Sequence, residues 1–581
     1  MDLTRCASFL LLITLGHTYT EDDKLQVETR VVNTPLGPVK GLKLENKQTG
    51  KPLYEFRGIR YGKPPVGPLR FKQPVPVEKW EDTLDATTFG ASCPQYINEI
   101  IADFKPRKMS EDCLFLNVYV PAELDMNKKL SVMVWIHGGA LTFGFGDQYD
   151  GGWIATEGNV ITVTINYRMN IFGFLSVGHP ASKGNYGLWD QKLALQWVHD
   201  NIHAFGGDPE SVTIFGESGG GWSTSFQSLI PSNRGLFQRV VSQSGVVGRI
   251  NLLPKNMIQD LIKDLEKKTL CPTDDMYKFV DCLREKTMEE LVNATNFFGS
   301  MPNDKLDINL YFQPVVDGDL YPEHPIWRLE DSNSEETKFF ESLDFMTGTT
   351  SNEGNLVYMM IMPAVQEHYG FNSTEGIPTK FVCQGMVSPF VDRYFYGDSN
   401  IKKKICEFYT DHNSLADQSM RVSDFMADIF FGVSTIEMLE FHASSKRKTF
   451  QYVFSKPSAR TMMGPPPEWF KGVGHREELQ YMFDAGTILP SLKGLGLSEN
   501  DLVFSKRLIR YWTSFAKGGQ PDGGEGSVPW KQFDLTGRSY LDIDVTDTQR
   551  NNWNKQMYEF WSKELPPLRL DHSYVKSHDE L

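Results

Sequence analysis

Ser218 is the residue best placed for nucleophilic chemistry. It lies at the centre of Gly216-Glu-Ser-Gly-Gly220, which fits the pattern G-x-S-x-G. The apolar run 212–215 predicts a buried strand, and the stretch 222–229 can continue as a helix. A tight turn between them would expose the serine hydroxyl for attack on an acyl carbon. The alternative is a glycine-rich loop without chemistry, so the motif needs partners elsewhere in the chain.

A second glycine-rich segment could supply an oxyanion hole. His137-Gly-Gly-Ala140 follows the apolar run 132–136 and resembles the HGGG-type loop of esterases and lipases. Glycines let the backbone come close to substrate and aim its N–H groups at developing negative charge. We expect the N–H groups of Gly139, Ala140 and Gly219 to bind the oxyanion. His137 is expected to be structural, because in folds that carry a G-x-S-x-G turn of this kind the catalytic histidine follows the nucleophile in the chain.

Because the histidine follows the nucleophile in the chain, the candidate bases are the histidines after Ser218. His442 lies in a helical stretch and is interpreted as a packed helix residue. His475 lies in the glycine-bearing loop Gly472-Val-Gly-His, downstream of a predicted strand at 449–454. A loop at a strand end lets a side chain reach across to the serine, so His475 is the predicted base.

Two carboxylates compete as the acid that orients this base. Glu353 comes soon after a predicted strand at 343–347. Asp317 lies in Val-Val-Asp-Gly-Asp, and Asp-Gly is typical of a turn. These residues alone favour Glu353 and leave Asp317 open.

The elements around these residues predict the fold. Strands and helices alternate between residues 114 and 244, which predicts a mostly parallel sheet with helices on both faces. Helical patterns at 250–340 and 355–445 interrupt that alternation. We therefore expect one catalytic domain over residues 19–577, with helical insertions above the sheet ends, where such folds bind ligands.

Charge and composition exclude several classes of function. The 581-residue chain has a formal net charge of −15 and no basic block, which argues against nucleic-acid binding. No apolar run after the N-terminal one is long enough to span a bilayer. The histidines lack zinc-ligand spacing, so neither a metal nor an organic cofactor is expected.

Both ends of the chain predict a secretory-pathway address. Residues 1–18 resemble a signal peptide, cleaved between about 16 and 20, because an apolar run precedes small and polar residues. The chain ends in an endoplasmic-reticulum retrieval motif, which a receptor would read: His578, Asp579, Glu580 and Leu581. Asn293 and Asn372 begin glycosylation sequons, as suits a lumenal chain. The predicted location is the endoplasmic-reticulum lumen.

Cysteine usage agrees with an oxidising compartment. Of seven cysteines, Cys6 lies in the predicted signal peptide, and an even number remains. Four of them bracket two polar stretches: Cys93 and Cys113, then Cys271 and Cys282. Whether Cys383 pairs with Cys406 stays open.

Several ordered motifs resemble those of the type-B carboxylesterase and cholinesterase family, over nearly the whole mature chain. They are Ser110-Glu-Asp-Cys-Leu-Phe-Leu-Asn-Val-Tyr, Asn166-Tyr-Arg, Asn185-Tyr-Gly-Leu-Trp-Asp-Gln, Gly206-Gly-Asp-Pro and Phe215-Gly-Glu-Ser. The resemblance implies an α/β-hydrolase fold and a triad of Ser218, Glu353 and His475. It implies the disulfides Cys93–Cys113 and Cys271–Cys282. It also suggests that Ser244 and Glu217 lie near the triad and support it.

The chain departs from this family's pattern at three places. Gly219 stands where the family usually has alanine, but its backbone N–H survives. Ala140 stands where a third glycine is common, and its methyl group could narrow the acyl side of the pocket. Cholinesterases carry a tryptophan between the first pair of cysteines, whereas residues 94–112 contain none. This difference argues against choline esters and for general carboxylic esters.

The sequence therefore predicts a serine carboxylesterase that acts on small ester substrates. A lipase or a specialised hormone esterase of the same family is the alternative. A non-catalytic adhesion protein on the same fold, as neuroligins resemble, is disfavoured because all three triad residues are retained.

Overall fold

The computed structural model describes most of the chain. The described residues are 28–97, 105–123, 128–253, 255–295, 312–356, 358, 362–395, 397–411, 413–458, 460–462, 464–494 and 496–565. The predicted signal peptide and the predicted retrieval tail lie outside these ranges.

One sheet contains all the strands of the described residues. They are β1 (Thr29–Asn33), β2 (Pro38–Glu45), β3 (Pro52–Arg60), β4 (Leu84–Asp85), β5 (Phe115–Pro121), β6 (Leu130–Ile136), β7 (Ile161–Ile165), β8 (Gly207–Glu217), β9 (Arg239–Gln243), β10 (Asp344–Thr350), β11 (Thr449–Phe454), β12 (Ser539–Ile543) and β13 (Thr548–Asn551). The order across the sheet is β1-β2-β3-β5-β7-β6-β8-β9-β10-β11-β12-β13, and β4 pairs with β2.

The centre of the sheet is parallel. Neighbouring strands run parallel from β7 through β6, β8, β9, β10 and β11 to β12. The outer pairs are antiparallel, except that the two-residue β4 pairs with β2 in parallel. The carboxyl ends of β6, β8 and β10 therefore meet at one edge, where ligand sites of such sheets form. This arrangement confirms the predicted sheet.

Helices cover the sheet and form the insertions. They are α1 (Gly152–Gly158), α2 (Asn170–Phe174), α3 (Tyr186–Asn201), α4 (Gly219–Gln227), α5 (Lys255–Thr269), α6 (Met276–Glu285), α7 (Met288–Ala294), α8 (Pro325–Glu330), α9 (Glu335–Phe340), α10 (Met362–Tyr369), α11 (Thr379–Phe381), α12 (Ser388–Tyr394), α13 (Ser399–Phe408), α14 (Leu415–Ala427), α15 (Val433–Ala443), α16 (Ala485–Ile488), α17 (Glu499–Gly518) and α18 (Lys555–Glu559). Helices α5–α9 and α10–α15 occupy the two predicted insertions.

Alternation along the central strands builds two apolar layers. In β6, Val134 and Ile136 join one cluster of buried residues, whereas Met133 and Trp135 join a second. Successive side chains of a strand point to opposite faces, so both faces of the sheet are buried. Trp512 of α17 lies in the second cluster, which places that helix on this face.

Three disulfides link the described cysteines. Cys93–Cys113 and Cys271–Cys282 have the expected partners, and the third is Cys383–Cys406. The third pair joins the segment after α11 to α13 within the second insertion. It settles the pairing that the sequence left open.

Candidate active site

Ser218 occupies a strained turn between β8 and α4. Strand β8 ends at Glu217, Ser218 has φ 58° and ψ −123°, and α4 begins at Gly219. Residues other than glycine rarely adopt these φ and ψ angles, and such strained residues are typical of functional sites. A Cβ atom on Gly220 would lie 2.0 Å from the carbonyl oxygen of Ile136, so only glycine fits there.

Glu353 and His475 form a direct pair. Oε2 of Glu353 lies 2.5 Å from Nδ1 of His475. The other carboxylate oxygen accepts hydrogen bonds from the Ser244 hydroxyl at 2.6 Å and from the Thr350 N–H at 2.7 Å. The backbone N–H of His475 donates to Asn355 Oδ1 at 2.8 Å, which fixes the loop that carries the base.

The pair is buried, and its pKa values move in opposite directions. Burial alone would raise the pKa of Glu353, but His475 and the hydrogen-bond donors outweigh it and lower that pKa. Burial alone would lower the pKa of His475, but the carboxylates of Glu217 and Glu353 outweigh it and raise that pKa. Glu353 is therefore the ionised partner that can stabilise an imidazolium.

The remaining nitrogen of His475 faces Glu217. Nε2 lies 3.0 Å from Glu217 Oε1, and the Glu217 side chain is fully buried. Among the described residues, no hydrogen bond joins the Ser218 hydroxyl to His475. The structure thus brings the predicted acid and base together, and it places the predicted nucleophile one residue from the Nε2 contact.

The predicted oxyanion segment packs against the turn that carries Ser218. Gly139, Ala140 and Leu141 have φ values of 107°, 52° and 61°, so three successive residues are left-handed. A Cβ atom built on Gly219 would lie 2.9 Å from the Ala140 nitrogen. The backbones of the three predicted donors, Gly139, Ala140 and Gly219, therefore lie side by side.

His137 and His442, which were not predicted to be the base, have structural roles. His137 is buried, stacks on Tyr167 with ring centroids 4.5 Å apart, and contacts the Gly138 carbonyl oxygen through Nδ1 at 2.9 Å. Burial lowers its pKa to about 4. His442 lies buried in α15, with Nδ1 2.8 Å from Thr449 Oγ1 and Nε2 3.0 Å from the Leu343 carbonyl oxygen. Both rings serve packing.

The rival acid is a turn residue, as its sequence context indicates. Oδ1 of Asp317 accepts hydrogen bonds from the N–H groups of Asp319, Leu320 and Tyr321. Its carboxylate therefore stabilises a tight turn, while Glu353 contacts the histidine.

Reasoning from the sequence missed two buried charged residues beside the base. Arg476 follows His475 directly and is 7% exposed. Glu478 is fully buried, and burial followed by the nearby Glu217 raises its pKa to about 8. Gln243 Nε2 donates to Glu478 Oε1 at 3.2 Å. The only signal was the run Arg476-Glu-Glu478, which ordinarily indicates an exposed loop.

Both predicted glycosylation acceptors are accessible. Asn293 lies exposed on α7, and Asn372 lies exposed in the loop after α10. Over the described ranges, no helix is long and apolar enough to cross a membrane, and no cluster of three or more acidic, histidine or cysteine residues could hold a metal ion.

The chain is similar to known carboxylesterases over almost its whole length. The profile of the Carboxylesterase family matches residues 28–561. Carboxylesterase 1E of Mus musculus is 32% identical over 580 residues, covering 97% of this chain and 99% of that protein. The medium-chain fatty acyl-CoA hydrolase precursor of Anas platyrhynchos is 33% identical, with 97% of each chain covered. Liver carboxylesterase 1 of Oryctolagus cuniculus is 33% identical, covering 92% of this chain and 93% of that protein.

Proposed function

Because the chain belongs to the carboxylesterase family and is a carboxylic ester hydrolase, we propose that it works through an acyl-enzyme on Ser218. His475 is the base, and Glu353 orients it. The observation that carries this assignment is the 2.5 Å contact between Glu353 Oε2 and His475 Nδ1, beside the strained turn at Ser218. A carboxylate on Nδ1 leaves Nε2 as the nitrogen that takes the serine proton.

The first half of the reaction forms the acyl-enzyme. Nε2 of His475 removes the Ser218 proton as the serine oxygen bonds to the ester carbonyl carbon. The carbonyl oxygen becomes an oxyanion, which the N–H groups of Gly139, Ala140 and Gly219 stabilise. The imidazolium then gives its proton to the alcohol oxygen as the carbon–oxygen bond breaks, and the alcohol leaves.

The second half releases the acid. His475 removes a proton from water, whose oxygen attacks the acyl carbon through a second oxyanion. The imidazolium returns a proton to the Ser218 oxygen, and the carboxylic acid leaves. Throughout, Glu353 holds the imidazolium by charge and does not itself take the proton.

We infer that the substrates are general carboxylic esters and that the site of action is the endoplasmic-reticulum lumen. Residues 1–18 and 578–581 support entry and retrieval, respectively. The three disulfides suit an oxidising compartment.

Hydrolysis of short-chain aryl esters by the full chain tests the proposal. Ser218→Ala should lower kcat by roughly a thousandfold or more while the protein stays folded. Ser228→Ala, which removes a buried hydroxyl just after α4, is the matched control and should keep its activity. Full turnover by a folded Ser218→Ala variant would refute the acyl-enzyme.

A further inference from the structure

Arg476 has an unusual backbone for its residue type. It directly follows His475, and its φ of 72° and ψ of 2° place it in the left-handed region. This backbone region favours glycine, and a residue with a long side chain adopts it only at a cost in strain. The side chain is nevertheless buried, so its own contacts must offset the backbone strain.

Those contacts point towards the base. Nη2 of Arg476 donates to the Tyr149 hydroxyl at 3.1 Å. Nε lies 3.7 Å from Glu217 Oε2, whose partner oxygen Oε1 lies 3.0 Å from His475 Nε2. Glu217 thus sits between the guanidinium and the base.

The charges around His475 are unbalanced without this arginine. Two buried carboxylates act on the imidazole, Glu217 and Glu353, whereas the nearby Glu478, with its pKa raised to about 8, is largely protonated at neutral pH. The Phe431 ring packs 5.0 Å from the imidazole and carries no charge. Glu477 faces away, since its carboxylate accepts from the Met462 N–H and from Gln480 Nε2. Arg476 is the cation that acts on both His475 and Glu217.

An unopposed Glu217 would hold the base in the wrong state. A carboxylate 3.0 Å from Nε2 favours the protonated imidazole. A base that is already protonated cannot accept the Ser218 proton.

We infer that Arg476 is a positioning residue for ester hydrolysis, whose guanidinium lies 3.7 Å from Glu217, offsets the charge of that carboxylate and so favours the neutral His475 that can accept the Ser218 proton. This inference rests on the proposed triad and adds a residue to it. Arg476 acts through Glu217, which lies between its guanidinium and the base. In agreement, the Arg476 charge opposes the carboxylates in setting the pKa of His475.

The pH dependence of kcat/KM distinguishes this role from simple packing. The acidic limb is the part of the profile where kcat/KM falls as the pH is lowered. In Arg476→Met and Arg476→Gly, loss of the positive charge should move this limb to higher pH by roughly one unit. Activity should be recovered largely at higher pH, where His475 is neutral. Arg476→Lys should restore the limb, because it keeps the charge. A uniform loss of kcat/KM with an unmoved limb would overturn the inference.

Two further variants keep the test interpretable. Arg476→Gly suits the left-handed backbone, so it separates loss of charge from loss of folding. Arg510→Met removes a half-exposed arginine that pairs with Glu157, and it should leave the limb unchanged. An equal shift in Arg510→Met would show a general effect of net charge and contradict the inference.

A titration without turnover separates this inference from the proposed function. With histidine labelled at Cε1 with carbon-13, the His475 signal is assigned by its absence in His475→Gln. Its midpoint should rise in Arg476→Met by about the same amount as the kinetic limb. An unchanged midpoint would refute the role of Arg476. Wild-type protein that neither turns over esters nor reacts with a fluorophosphonate would instead refute the proposed function.

Discussion

Oε2 of Glu353 lies 2.5 Å from Nδ1 of His475, although 122 residues separate them in the chain. Strand β10 ends just before Glu353, and β11 pairs with it in parallel, so the segments leaving both strands meet at one edge. The pairing gives the imidazole one direction and one protonated nitrogen. The proposed chemistry depends on this contact.

Glu353→Gln should abolish most of the activity and spare the fold. The amide oxygen can still accept from Ser244 and Thr350, but the charge that stabilises the imidazolium is lost. We expect kcat to fall by about three to four orders of magnitude, measured with short-chain aryl esters. Asp317→Asn is the control for the rival acid. A larger loss in Asp317→Asn than in Glu353→Gln would contradict the assignment.

As the pH is lowered, kcat/KM should begin to fall at an unusually high pH for a histidine base. The carboxylates raise the pKa of His475, and only its neutral form can accept the serine proton. The acidic limb of kcat/KM should therefore have an apparent pKa above about 6.5, the ordinary value for histidine. Glu217→Gln removes one of the charges that raise the pKa, so its limb should move to lower pH. A limb that moves upward in Glu217→Gln would reverse the predicted sign.

Gly219→Ala should impair the oxyanion hole even though alanine is usual there in the family. A Cβ atom would lie 2.9 Å from the Ala140 nitrogen and 3.0 Å from the Leu141 nitrogen, and both are backbone atoms. The loop must shift, so we expect kcat to fall by about tenfold or more. Adding Ala140→Gly should recover part of the loss, because it frees the loop to move. Unchanged kcat in Gly219→Ala would show that the contact does not constrain the hole.

Removal of residues 578–581 should release the protein into the medium of expressing cells. Motifs of this type are read by a retrieval receptor at the end of a chain, which is the role we propose for these four residues. Lys576→Ala, just upstream, is the control and should stay inside the cell. Equal retention of the truncated and intact chains, measured in medium and lysate, would contradict the proposed location.

Regular elements could be predicted from the sequence because their patterns are local. The predicted strand at 449–454 coincides with β11, and the run 132–136 lies within β6. Within the alternating region 114–244, the chain forms α3 followed by a short 3-10 turn, Ile202–Phe205. Gly206, with φ 87°, ends that turn.

The surroundings of the base could not be predicted in the same way. Arg476 and Glu478 are charged, and charged residues in a loop are ordinarily exposed. Their burial depends on Glu217, Tyr149 and Gln243, which come from distant parts of the chain. The pairing of Cys383 with Cys406 likewise depends on how the second insertion folds.

Reaction with a fluorophosphonate, followed by intact mass and peptide mapping, tests the central claim most directly. The account predicts one adduct for each wild-type chain, located on Ser218, with matching loss of ester hydrolysis. Ser218→Ala should gain no adduct, and Glu353→Gln should react much more slowly. Well-folded wild-type protein that stays unlabelled, or that carries its adduct on another residue, would contradict the account.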